Sequence, residues 1–206
     1  MRMSPPSSDS TRILLVRHGQ SEWNAIGRWQ GQAVSPLSDQ GRLQAHEAAR
    51  AVGAVDAVWA SDLQRAVETA TIIAESIGVG PVVVDPDLRE RDAGEFSGLT
   101  RPEIEDRFPG YLAAHRRPPG WEPDEDLLAR AERALRRIAG AVPGGEVLAV
   151  THGGLVYCLE QHLGSEFAKI ANTEGRWFEV EPAGRMRIGE RLLLSEPQDT
   201  TVPNQI

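Results

Sequence analysis

The stretch Ile13-Leu14-Leu15-Val16-Arg17-His18-Gly19-Gln20-Ser21-Glu22-Trp23-Asn24 decides the fold class. Four consecutive apolar residues are what a strand carries when both its faces are covered, as in a parallel sheet between helices. The run stops at an arginine, a histidine and a glycine, and Ser21 stands where it can cap a helix. Gly19 would let the backbone approach a ligand, and the free N–H groups of a helix opened by Ser21 would face the same point. The end of this strand therefore reads as an anion site that holds a nucleophile.

Working outward, apolar runs at 12–17, 56–60, 82–84 and 147–151 alternate with longer helical patterns. That rhythm predicts an α/β fold, a three-layer α/β/α arrangement around a mostly parallel mixed sheet. One helix should run from Ser38 as N-cap to about Val52, with Leu43, Ala45, Ala48, Ala49 and Val52 facing inward and Gly41 weakening it slightly. A second is expected from Asp62 to Ile77, closed by Gly78, and a third from about Asp124 to Ala139. Residues 147–163 repeat the opening arrangement, a strand ending in Thr151-His152-Gly153-Gly154 before an apolar helix. Segments 176–181 and 185–194, around Pro182-Ala183-Gly184, predict an edge hairpin.

A chain of 206 residues can bury a full core, and a single domain over 12–195 is expected, between flexible tails at 1–11 and 196–206. The stretch 92–124 holds five prolines and little core-sized apolar clustering, which marks it as a candidate lid. A net charge of −8 argues against a nucleic-acid partner, so any phosphate pocket must be a local basic focus in an acidic field. Cys158 is the only cysteine, set among Leu155, Val156, Tyr157 and Leu159, which suggests a buried thiol in a reducing compartment. No run approaches the roughly 18 apolar residues of a membrane span, and the expectation is a cytoplasmic protein without a membrane partner. The edge hairpin could pair with a second subunit, which leaves a homodimer open.

Ligand sites in open α/β sheets form outside the carboxyl ends of the strands. Arg17 and His18 follow the first strand, Arg65 lies just past the second, Glu90 follows 82–84, and His152 follows the fourth. Two guanidinium forks and two imidazoles suit a transferring phosphoryl group, whose charge sits on its equatorial oxygens. A carboxyl group at position 90 can protonate a departing alkoxide and later take a proton from water. The inferred chemistry is covalent: His18 attacks phosphorus, Glu90 protonates the leaving oxygen, and water hydrolyses the phosphohistidine. Taken singly, each residue has a plainer reading: strand-end histidines, a solvated helix arginine, and a surface pair of Glu90 with Arg89 or Arg91. Their company decides against it.

His46, His115 and His162 form no ligand spacing, and acid-base chemistry through histidine needs no metal, so metal independence is expected and no cofactor is assigned. Trp59 and Trp177 read as core or sheet-edge packing, whereas Trp23, Trp29 and Trp121 could wall the pocket. Asp124, Glu125 and Asp126 read as favourable charge in the first turn of a helix.

At this point the chain resembles branch 1 of the histidine phosphatase superfamily, which includes the cofactor-dependent phosphoglycerate mutases. The resemblance rests on Arg17 to Asn24, then Trp29-Gln30-Gly31 with Pro36-Leu37-Ser38, Ser61-Asp62-Leu63 through Thr69-Ala70, Leu88-Arg89-Glu90 with Gly94 and Gly98, and Thr151 to Gly154. It implies a phosphoglycerate mutase-like fold and a phosphoric monoester hydrolase of the histidine acid phosphatase type, acting on a small-molecule phosphate ester. It also implies His18 as the phosphorylated nucleophile, Arg17, Arg65, His152 and Gly153 around the phosphate, Glu90 as proton donor, and Asn24, Gln30 and Gly31 at the rim.

The chain departs from the family at Gly120-Trp121-Glu122-Pro123, where a Gly-Gly-Glu-Ser segment is usual; counting back from Arg130 keeps Glu122 in register. Proline suits a first helical turn, but Trp121 adds a bulky ring. The short connection from Glu90 to His152 favours phosphatase over mutase, because water can reach the phosphohistidine. The pair Arg116-Arg117 keeps the mutase alternative alive as a carboxylate site, against a plain reading as a solvated basic pair. A non-catalytic phospho-ligand-binding module is the remaining alternative, and the intact catalytic set argues against it.

Overall fold

The computed structural model describes residues 10–196. Six strands form one sheet: β1 (Thr11–Arg17), β2 (Ala57–Ala60), β3 (Val83–Val84), β4 (Glu146–Thr151), β5 (Glu174–Val180) and β6 (Met186–Leu193), in the order β3-β2-β4-β1-β5-β6. The first four in that order run parallel, and β5 is antiparallel to both β1 and β6. The expected mixed sheet with an edge hairpin is thus present, the hairpin beginning two residues earlier than the sequence suggested. The expected flexible tails fall almost entirely outside the described residues.

Helices α2 (Asp39–Ala51) and α3 (Gln64–Ile77) cover one face, α5 (Asp124–Ala141) and α6 (Gly153–His162) the other. The alternation of a strand explains how one apolar run serves both. Leu14 and Val16 pack with Ala48, Ala66, Ala70 and Ile73, while Ile13 and Leu15 pack with Leu127, Leu135, Leu155 and Val156. In β4, Leu148 and Val150 join the first group, Val147 and Ala149 the second. Each large side chain buried in this way contributes roughly 1.5–3 kcal/mol. Leu43, expected to face inward, is 57% exposed.

Two 3-10 turns, Pro86–Leu88 and Gly94–Phe96, and two short helices complete the described residues, α1 (Glu22–Ala25) and α4 (Arg101–Arg107). Helix α4 belongs to the stretch 92–124, which is better packed than its composition suggested. Phe96 and Ile104 are fully buried there with Trp29 and Ala93, and Leu99, Phe108, Tyr111, Leu112 and Trp121 pack around them. Five rings, from Trp29, Phe96, Phe108, Tyr111 and Trp121, meet at centroid distances of 5.4 to 6.4 Å. Aromatic residues bury enough area per residue to build this small core between prolines.

Candidate active site

Strand register brings the two histidines together. Arg17 pairs with Thr151 across β1 and β4, so the next residue on each strand, His18 and His152, emerges beside the other. Their rings meet edge to face with centroids 5.0 Å apart. Ala60 pairs with Val150, which places Ser61 within 2.9 Å of His152 Nε2. Arg65 then reaches back from the first turn of α3, and its Nε–H donates to His18 Nε2 over 3.2 Å.

His18 is held in one orientation. Its Nδ1–H donates to the Gly19 carbonyl at 2.6 Å, leaving Nε2 with the lone pair that accepts from Arg65. Burial, with Arg65 and Arg17 beside it, holds the ring well below the usual imidazole range, so it is neutral at physiological pH. Burial and the same cations do so for His152. Burial brings the Arg65 guanidinium down to about 10, which still leaves it charged. Arg65 also donates to the carbonyls of Gly31 (2.8 Å) and Ala33 (3.0 Å), and Arg17 to that of Ile170 (2.8 Å).

The depressed imidazoles imply a pH-dependent stability. Below their ordinary value near 6.5 the unfolded chain takes up protons at His18 and His152 while the folded chain does not. Stability should therefore be fully present well above 6.5 and fall as pH drops below it, by up to about 1.4 kcal/mol per pH unit for each ring. Thermal melts from pH 7.5 to 5.5 should show a falling Tm that is shallower in His152→Asn; a flat profile in the unmodified chain would contradict the burial argument.

Glu90 lies half-buried across the site. Its Oε1 accepts the N–H of Arg91 (2.7 Å) and its Oε2 that of Gly154 (3.1 Å). The surface pair considered for Glu90 does not form: Arg89 binds Asp62, and Arg91 binds Asp124. A methyl group at Gly154 would lie 2.3 Å from Glu90 Oε1. A carboxylate can swing away from it, and alanine is better than glycine in a helix by about 1 kcal/mol. Gly154→Ala should therefore keep or raise Tm while lowering kcat roughly tenfold to a hundredfold; unchanged kcat would show that the carboxyl need not sit where it does.

Two expectations about the first loop need correction. A Cβ on Gly19 would come within 2.5 Å of the Gly41 carbonyl, and one on Gly41 within 2.0 Å of the Gln20 carbonyl. These glycines serve the close approach of α2 to the loop, so Gly41 is a packing requirement and Gly19 faces protein backbone. The N–H groups at the start of α1 do not face a ligand either: Glu22 donates to Pro36 O, Trp23 to Ser35 Oγ, and Asn24 to Ser21 Oγ. The helix is only four residues long.

Arg17, His18, Gln30, Gly31, Arg65, Glu90 and Gly153 line one cavity of about 400 Å³. His152 is fully buried behind His18 and does not line it, and neither does Asn24, whose side chain closes a capping box on Ser21. Both keep a buried nitrogen without a hydrogen-bond partner among the described residues, Nδ1 of His152 and Nδ2 of Asn24. Trp29 and Trp121 wall the cavity, whereas Trp23 packs against Gly98. Arg117 lines it with its guanidinium 4.5 Å from the Trp121 ring centroid; Arg116 instead stacks on Tyr111.

Arg91, Tyr157, Cys158, Gln161 and Phe167 also line the cavity and were not foreseen there. Positions 153, 154, 157, 158 and 161 fall at helical spacing, so one face of α6 forms a wall. Burial raises the Cys158 thiol, which stays protonated at neutral pH. Among the described residues no group of three His, Cys, Asp or Glu side chains gathers as a metal would need, and no helix is long and apolar enough to cross a membrane.

The profile of the histidine phosphatase superfamily (branch 1) matches residues 13–188. The chain belongs to this family. Phosphoglycerate mutase-like protein 4 of Arabidopsis thaliana is 35% identical over 192 residues, covering 87% of this chain and 84% of the relative. The metal-independent phosphoserine phosphatase of the same plant is 39% identical over 159 residues, covering 72% and 67%. Among solved structures, the mycobacterial glucosyl-3-phosphoglycerate phosphatase in complex with VO3 superposes with a TM-score of 0.78 at 29% identity, over 87% of this chain and 97% of that one. Histidine phosphatases named by activity are thus among the relatives of this family member, and its three-layer fold is the phosphoglycerate mutase-like one.

Proposed function

We propose that this histidine phosphatase hydrolyses a small phosphorylated metabolite through a covalent phosphohistidine at His18, chemistry of the histidine acid phosphatase type. The observation that carries this reading is His18 itself: neutral, fixed by Nδ1–H to Gly19, and presenting Nε2 to a cavity shared with Arg17, Arg65 and Glu90. Nε2 forms a bond to phosphorus as the ester P–O bond breaks, and the Arg65 N–H that held the lone pair passes to a phosphoryl oxygen.

Each Glu90 oxygen accepts one backbone N–H, leaving a second lone pair on each, so the carboxyl can carry a proton to the leaving oxygen. It then draws a proton from water, which attacks phosphorus and frees both phosphate and His18. Residues 92–124 serve as the lid of a single domain and supply Trp121 and Arg117 for the leaving group. Relatives named for phosphoserine and glucosyl-3-phosphoglycerate act on esters that bear a carboxylate, and Arg117 suits such a group.

The test is a panel of phosphomonoesters compared by kcat/KM without 2,3-bisphosphoglycerate. Phosphate release supports hydrolysis, strongest for esters with a carboxylate; little release there, with efficient interconversion of 2- and 3-phosphoglycerate once 2,3-bisphosphoglycerate is added, would overturn it.

A further inference from the structure

Arg130 lies on the inward side of α5, 9% exposed, and every one of its five N–H groups has an acceptor. Nε and Nη2 donate to the two oxygens of Glu122 at 2.7 and 2.8 Å. Nη1 donates to the carbonyls of Asp87 (3.0 Å) and Arg89 (2.6 Å), and the second N–H of Nη2 to that of Glu90 (2.9 Å). One guanidinium thus clasps three carbonyls of the segment that ends at the proposed proton donor. Glu122 extends the clasp to the other side: its Oε2 accepts the N–H of Asp92 (3.1 Å), and its carbonyl accepts from Arg91 Nη1 (2.7 Å).

Residues 89–92 form no helix or strand ladder that would satisfy their backbone groups, so a buried donor is needed there. A buried ion pair adds little net stability over a well-packed apolar pair. What it can give is geometry, because a planar fork fixes several acceptors relative to one another. Neither Arg130 nor Glu122 lines the cavity, so neither touches a substrate there. Their route to the chemistry runs through the backbone of Glu90.

We propose that Arg130, braced by Glu122, is a positioning residue that sets where the Glu90 carboxyl meets the leaving oxygen. This rests on reading Glu90 as the proton donor. A lysine at 130 keeps the charge but replaces a five-donor fork with one nitrogen, which cannot span Glu122 and three carbonyls together.

The experiment compares kcat/KM for an alkyl phosphate and for p-nitrophenyl phosphate in Arg130→Lys and Glu90→Gln, each normalised to active sites by the phosphoenzyme burst. A nitrophenolate departs with little protonation, so a misplaced acid costs the alkyl ester most. Arg130→Lys should lower kcat/KM for the alkyl ester roughly a hundredfold and for the aryl ester less than about threefold, following the pattern of Glu90→Gln. Equal losses for both esters in Arg130→Lys, with Glu90→Gln still discriminating, would overturn the role of Arg130 and leave that of Glu90 intact. Equal losses in Glu90→Gln would overturn both. Should Arg130→Lys fail to fold, Glu122→Gln decides by the same ratio, an unchanged ratio overturning the proposal.

Discussion

Replacing His18 by alanine is expected to lower kcat at least about a thousandfold and to abolish phosphate incorporation into the protein. The expectation follows from how little else in the cavity could attack phosphorus. Cys158 is held protonated by burial, His152 is fully buried behind His18, and burial raises Tyr157 as well. Water could attack directly with Arg17 and Arg65 still binding the phosphate, which accounts for a small residual rate and a KM that changes little. Steady-state phosphate release, with thermal melting to confirm folding, checks this; turnover within tenfold of the unmodified enzyme would contradict the covalent scheme.

Glu90→Gln should produce the second largest effect, and a selective one. Losing the proton donor costs roughly a hundredfold to ten-thousandfold where the leaving group is an alkoxide. The fair measure is kcat/KM, which reports the steps up to departure of the leaving group. Alkyl phosphates should lose that whole factor, and p-nitrophenyl phosphate far less. With the aryl ester, the phosphoenzyme should then accumulate, because the water that resolves it has lost its base. Glutamine keeps the size of the side chain and an oxygen for one of the N–H groups of Arg91 and Gly154, so the comparison isolates the proton. Equal losses for both ester classes would remove Glu90 from its acid role.

Much of this arrangement is legible in the residues alone, for identifiable reasons. Residues 13–16 read as a doubly covered strand because their side chains serve two cores, and His18, Arg65, Glu90 and His152 follow strands whose carboxyl ends point the same way. The backbone partners of Arg17 and Arg65 were not legible. They are backbone carbonyls of Gly31, Ala33 and Ile170, and a carbonyl leaves no mark in a sequence. The same holds for the Arg130 clasp. Gly41 looked like a weakness because helix propensity is local, whereas its cause is a contact 21 residues away with Gln20. The inner core of residues 92–124 was underrated because its prolines hid the aromatic spacing of Phe96, Phe108, Tyr111 and Trp121. The α6 wall of the cavity did carry a signal, since Gly153, Gly154, Tyr157, Cys158 and Gln161 repeat at helical spacing, but its apolar members read equally well as core.

The central claim is a phosphohistidine on His18, and rapid-quench labelling with 32P-labelled substrate measures it directly. The predicted result is a protein-bound phosphate that is acid-labile and stable in alkali, forms and decays at rates consistent with turnover, maps to the peptide containing His18, and is absent from His18→Ala. A catalytically active enzyme that never carries label on the millisecond to second scale, or carries it on a residue other than His18, would contradict the account.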